Sequence, residues 1–81
     1  MKLDLYYFPS CPFCKKVINY IKKNDIEGEV NYKNIRQDNV SKNELINKGG
    51  KEQVPCLFID GEALYESDLI IKWLDDNIIK K

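Results

Sequence analysis

The stretch Leu3-Asp4-Leu5-Tyr6-Tyr7-Phe8-Pro9-Ser10-Cys11-Pro12-Phe13-Cys14-Lys15-Lys16-Val17-Ile18 contains the change of period that decides the fold. Leu3, Leu5 and Tyr7 alternate with Lys2 and Asp4, which predicts a strand over about residues 2–8. Pro9-Ser10-Cys11-Pro12 breaks it. Cys14, Val17, Ile18 and Ile21 then recur at helical spacing, with Lys15, Lys16, Asn19, Lys22 and Lys23 on the opposite face. Pro12 suits the first helical position, where a missing N–H costs nothing, and this puts Cys11 at the N-cap. A sulfur there accepts hydrogen bonds from the free amides of Phe13 and Cys14 and feels the positive end of the helix dipole, with Lys15 and Lys16 in the first turn. All of these favour thiolate over thiol. Cys14 lies one turn further along the apolar stripe and is expected to be more buried. The arrangement is an exposed attacking thiol beside a shielded resolving one.

Working outward, Gly28 is expected to open a second strand over about Glu29 to Ile35. Ser41-Lys42-Asn43-Glu44 matches a capping box, although Asp38 equally suits an earlier start, and Gly49-Gly50 stops the helix. Val54 to Ile59 reads as a buried strand, Asp60-Gly61 as a two-residue hairpin turn, and Glu62 to Tyr65 as the returning strand. Ser67 is placed as the cap of a last helix with apolar positions Leu69, Ile70, Trp73, Leu74 and Ile78, closed by Lys80 and Lys81 at the negative end of its dipole. No repeat, linker or low-complexity tract divides the chain, so residues 1–81 form one domain. The order βαβαββα implies an α/β fold: a four-stranded mixed sheet with three flanking helices, its first pair parallel and its last antiparallel.

Composition narrows the function. Thirteen Lys plus Arg balance thirteen Asp plus Glu, so the electrostatic footprint of a nucleic-acid or anionic-membrane binder is missing. No apolar run reaches the ~20 residues of a membrane span. The start Met1-Lys2-Leu3-Asp4 has no signal-peptide pattern, and a cytoplasmic location, with thiols resting reduced, is expected. The chain contains no histidine, which excludes His-activated nucleophiles and every zinc site that uses His. Cys11, Cys14 and Cys56 are too few for a disulfide scaffold, and a single CxxC with a distant third Cys falls short of a four-cysteine zinc site. The chemistry left open is thiol chemistry, and no metal is expected.

Tyr6-Tyr7-Phe8-Pro9-Ser10-Cys11-Pro12-Phe13-Cys14, Val54-Pro55 ahead of a strand, and Ser67-Asp68 opening the last helix together resemble the glutaredoxin family, over essentially the whole chain. The resemblance implies a thioredoxin-like fold, Cys11 as nucleophile, Cys14 as resolving thiol and Pro55 in a cis peptide bond. It also implies glutathione as co-substrate. Val54 would pair with the glutathione cysteine backbone, the amide of Asp68 would meet the γ-glutamyl carboxylate, and the Asp68 carboxylate would meet the γ-glutamyl amine. Two positions depart from the family pattern: Phe8 stands where many members carry lysine, and Glu52 where many carry Arg or Gln. Both would help hold the glycine carboxylate, for which Lys15, Lys51 and Gln53 are the substitutes. Gln53-Val54-Pro55 and Tyr65-Glu66-Ser67-Asp68 also look like the glutathione-binding half of glutathione transferases, whose second, helical domain has no counterpart in 81 residues.

The expected function is therefore glutathione-dependent thiol–disulfide oxidoreduction, by a monomer acting on disulfide-containing or glutathionylated proteins. The competing readings are a similar redoxin reduced by a thioredoxin-reductase-like flavoprotein, and an iron–sulfur carrier. Phe13 either packs over glutathione or closes the turn, and Ser67 is either a ligand contact or a plain cap. Cys56 is read as a strand or core cysteine, and Trp73 as core.

Overall fold

The computed structural model describes residues 2–80; Met1 and the expected closing Lys81 lie outside them. The elements are β1 (Leu3–Tyr7), α1 (Pro12–Lys23), β2 (Asn31–Asn34), α2 (Asn39–Gly49), β3 (Cys56–Ile59), β4 (Glu62–Tyr65) and α3 (Ser67–Leu74), which runs into a wider π turn at Asp75–Ile79. The sheet order is β2-β1-β3-β4, with β1 parallel to β2 and the other pairs antiparallel. This is a thioredoxin-like fold.

Strand alternation sends side chains to two separate cores. Leu3, Leu5 and Leu57 join Val17 and Ile21 of α1 and Ile70 and Leu74 of α3 in one cluster, against which Trp73 and Ile78 pack partly buried. Tyr6, Cys56 and Phe58 face the other way and pack with Ile35 and with Leu45 of α2. Helices α1 and α3 thus lie side by side on one face of the sheet and α2 covers the other. Leu69, expected on the apolar stripe of the last helix, is instead half exposed, because α3 buries only the side carrying Ile70 and Leu74.

Local chemistry moved several boundaries. Residues Glu27–Glu29 form a 3₁₀ turn, in which Val30 N–H bonds Glu27 O at 3.2 Å, so β2 starts at Asn31 instead of Glu29. Pro55 has no N–H for the ladder, and β3 begins at Cys56 instead of Val54. The hairpin turn is as expected: Asp60 and Gly61 have φ of 49° and 94°, the paired left-handed conformations of a type I′ turn. Helix α2 starts from Asp38, whose Oδ1 accepts from Val40 N–H at 3.0 Å, while Ser41 Oγ donates to Asp38 Oδ2 at 2.9 Å. Ser41 is a buried member of the first turn and supports the cap without being it. Gly50, at φ 85°, ends the helix. Ser67 is likewise inside its helix: Glu66 occupies the cap position at φ 73° and makes no side-chain capping bond. At the far end, Tyr20 Oη donates to Asp75 Oδ1 at 3.1 Å and Lys80 pairs with Asp75 at 3.0 Å, tying the π turn to α1.

Two outcomes follow from these contacts. Asp38→Ala should lower stability by about 1 kcal/mol in urea unfolding, the usual worth of a side-chain N-cap; an unchanged midpoint would show that Asp38 does not anchor α2. The second concerns pH. Burial pushes the Cys56 thiol up from 9.0 to about 11, and burial beside Glu44 and Asp4 pushes the Tyr6 hydroxyl from 10.0 to about 12. Both groups hold their proton more tightly folded than unfolded. Their contribution is complete below pH 9 and is lost as the pH climbs from 9 towards 12. The urea midpoint should fall between pH 8 and pH 10.5, and Cys56→Ala should flatten the first part of that fall.

Candidate active site

Cys11 stands where β1 has ended and α1 begins. Its backbone is extended (φ −77°, ψ 118°), its N–H bonds Phe8 O at 3.2 Å, and Pro12 follows as the first helical residue. The Cys11 sulfur accepts from Cys14 N–H at 3.3 Å; of the two amides expected to serve it, only this one does. Capping also turns the sulfur back over the helix start, and Cys11 is only 6% exposed, not the open thiol anticipated from the sequence. The exposed group of the motif is Phe13, at 63%. Cys14 is fully buried, and burial pushes its thiol up to about 12; the hydrogen bond to Cys11 acts the same way, and a backbone bond from Phe8 opposes both. Cys14 therefore holds its proton more tightly than an ordinary thiol. All three cysteines are in the free, reduced form.

Beside this pair lies a cleft of ≈ 360 Å³ lined by Phe13, Gln53, Val54, Glu66, Ser67 and Asp68. Its size falls in the lower part of the ~300–1,000 Å³ range of small-molecule sites. Three separated stretches meet here: the CPFC turn, the segment ahead of β3 and the start of α3. The Val54–Pro55 bond is cis and Pro55 is buried just behind the lining. Lys15 is elsewhere, in a separate ≈ 480 Å³ cleft with Tyr7, Pro9, Ile18, Asn19, Lys22 and Tyr32. The cation that meets this site is Lys16, whose ammonium pairs with Asp68 across the α1–α3 interface. A larger depression of ≈ 730 Å³ involves Lys2, Gly28 and Asn77, at the opposite end of β1 from the thiols.

The charged positions around the site are partly committed. Glu52 pairs with Lys42 at 3.2 Å, and the Lys51 ammonium sits over the Tyr65 ring at 4.5 Å. Phe8 is stacked by the Arg36 guanidinium at 4.1 Å, which brings a cation back to a position where the chain itself has none. The sequence places Lys16 in the first turn of α1 but not against Asp68, and gives no sign of the Arg36 contact. Each meets its partner only through the packing of elements distant in the chain, so spacing carries no signal for them. Glu66 was visible in the motif Tyr65-Glu66-Ser67-Asp68, but its left-handed backbone was not. Cys56 stays apart from this chemistry, on the α2 side of the sheet, where its thiol meets the Tyr65 hydroxyl.

Comparisons with known proteins agree with this fold. A search of curated proteins gave no match. Among solved structures, glutathione transferase Omega 3C from Trametes versicolor superposes with a TM-score of 0.81 at 21% identity, over 99% of this chain and 35% of that one. A delta-class glutathione transferase from Nilaparvata lugens gives 0.72 at 30% identity, over 93% of this chain and 35% of that one. Glutaredoxin from Brucella melitensis gives 0.63 at 19% identity, over 96% of this chain and 82% of that one. The chain spans about a third of the length of these transferases and most of the glutaredoxin. The family described as glutathione S-transferase, N-terminal domain, matches residues 5–78, nearly the whole chain, and the protein belongs to that family.

Proposed function

We propose that the protein is a glutathione-dependent thiol–disulfide oxidoreductase of the dithiol glutaredoxin type, with Cys11 as nucleophile and Cys14 as resolving thiol. The observation that carries this reading is the Cys11 sulfur capping α1 by accepting from Cys14 N–H, with the Cys14 thiol fully buried in the first turn of the same helix. A glutathione transferase needs no second thiol beside the first, whereas intramolecular resolution of a protein mixed disulfide does.

In the reaction, the Cys11 thiolate attacks a sulfur of the substrate disulfide. A Cys11–sulfur bond forms, the substrate S–S bond breaks, and the released thiolate takes a proton from solvent. The buried Cys14 thiol, in the first turn of the helix that Cys11 caps, then attacks the mixed disulfide after giving up its proton, releasing the second thiol and closing the Cys11–Cys14 disulfide. Two molecules of glutathione return the enzyme to its dithiol form and leave as glutathione disulfide. When the substrate is itself a glutathione mixed disulfide, one external glutathione suffices and Cys14 is not needed. Glutathione fits the cleft beside Cys11. Val54 offers a backbone edge to its cysteine, Phe13 covers the thiol end, and Ser67 and Asp68 meet the γ-glutamyl terminus. Gln53 lines the same wall, whereas Lys15 faces away from it.

The family match favours a second reading, in which this domain supplies the glutathione site for conjugation to an electrophile. Variants separate the two. Cys11→Ser should bring glutathione-coupled reduction of a small mixed disulfide to background. Cys14→Ser should keep that activity while losing about tenfold or more on protein disulfides, at least 1.4 kcal/mol of barrier. If the Cys11→Ser, Cys14→Ser double variant still conjugates glutathione to an aryl halide at the wild-type rate, and the wild type reduces no disulfide, conjugation is the function. Equal loss of both reductase activities in folded Cys14→Ser would point to a flavoprotein as the electron donor instead.

A further inference from the structure

The reading of the cleft as a glutathione site leaves one charged residue without a role. Lys16 projects from α1 to the Asp68 carboxylate at the wall of the cleft, and both side chains remain largely in solvent, 53% and 80% exposed. Only one oxygen of Asp68, Oδ1, is engaged. An ammonium has three N–H donors and a carboxylate two acceptor oxygens, so each partner keeps unused capacity on the open side. Glu66 lines the same wall and, among the described residues, forms no ion pair. The cleft wall therefore carries two anions, Asp68 and Glu66, and the Lys16 ammonium stands against the first of them.

We propose that Lys16 is a specificity-determining residue for the co-substrate, and that the Lys16–Asp68 pair forms a dipolar clamp for a free α-amino-acid terminus. An α-amino acid carries an ammonium and a carboxylate on one carbon. Laid head to tail against the pair, its carboxylate meets the remaining N–H groups of Lys16 and its ammonium meets Asp68, assisted by Glu66. The four charges then alternate in sign around a ring. A γ-glutamyl thiol has this terminus intact. A thiol at the start of an ordinary α-linked peptide does not, because its α-carboxylate is consumed in the peptide bond. Without Lys16, Glu66 and Asp68 would leave two unbalanced anions facing that carboxylate, and like charges repel. The inference rests on the glutathione reading and adds that a residue outside the three motifs selects the γ-linked form.

The test is steady-state reduction of one glutathionylated peptide by wild type, Lys16→Gln and Lys16→Arg. The reductant is either glutathione or glutathione amidated at its γ-glutamyl α-carboxylate. Lys16→Gln should raise KM for glutathione about three- to fivefold, the size of an exposed charge pair. Lys16→Arg should restore the wild-type KM. For the amidated reductant the Gln variant and wild type should share one KM, since the group that Lys16 holds is gone. An equal rise on both reductants, no rise, or a fall would overturn the assignment of Lys16 while leaving the glutathione reading intact. A wild-type enzyme that turns over with neither reductant, though active with dithiothreitol, would overturn both.

Discussion

One hydrogen bond, from Cys14 N–H to the Cys11 sulfur at 3.3 Å, holds the chemistry and the architecture together. A helix start leaves backbone amides without partners, and something must accept from them. In α2 an ordinary carboxylate does this, from Asp38. In α1 the acceptor is a sulfur, so the atom that satisfies the helix is also the proposed nucleophile. Because α1 follows β1 through only four residues, the end of the first strand fixes where that sulfur lies. The thiol is thus held within four residues of a sheet strand, at the start of the helix it caps.

The second requirement is that α1 and α3 share a face. Leu3, Leu5 and Leu57 on one side of the sheet provide the apolar floor on which Val17, Ile21, Ile70 and Leu74 converge. Packing of those two helices brings the start of α3 beside the CPFC turn. The cleft is the gap that remains between Phe13, the Gln53–Val54 segment and residues 66–68. Burial energy and site geometry are consequently coupled: a change in how α3 seats on Leu57 would alter the wall of the cleft.

Much of this was legible in the sequence, for identifiable reasons. The switch from alternating to helical period at Pro9–Pro12 located β1 and α1, and Asp60-Gly61 fixed the hairpin because few residue pairs adopt two successive positive φ values. The pattern leaves a choice open, or points to the wrong member, where several polar residues compete for one role. Ser41 and Asp38 both suit a cap, and the longer acidic side chain reaches the Val40 amide. Ser67 suits a cap by type, yet the chain turns at Glu66 without a side-chain cap. The exposure of Cys11 was misjudged because the same capping that favours its reactivity also folds it inward. Phe13, Gln53, Val54, Ser67 and Asp68 do meet at one cleft, whereas Lys16 depends on a tertiary contact that no local pattern encodes.

The separation of the cores onto two faces of the sheet also bears on how the molecule tolerates oxidants. Three thiols in so short a chain would ordinarily invite scrambled internal cross-links. Here Cys56 is sealed under α2 with Tyr6 and Phe58, while Cys14 lies on the buried side of α1 with Val17 and Ile21, on the other face of the sheet. One strand layer stands between them and acts as an insulator. In the proposed redox cycle the odd cysteine is thereby kept apart from the Cys11–Cys14 pair.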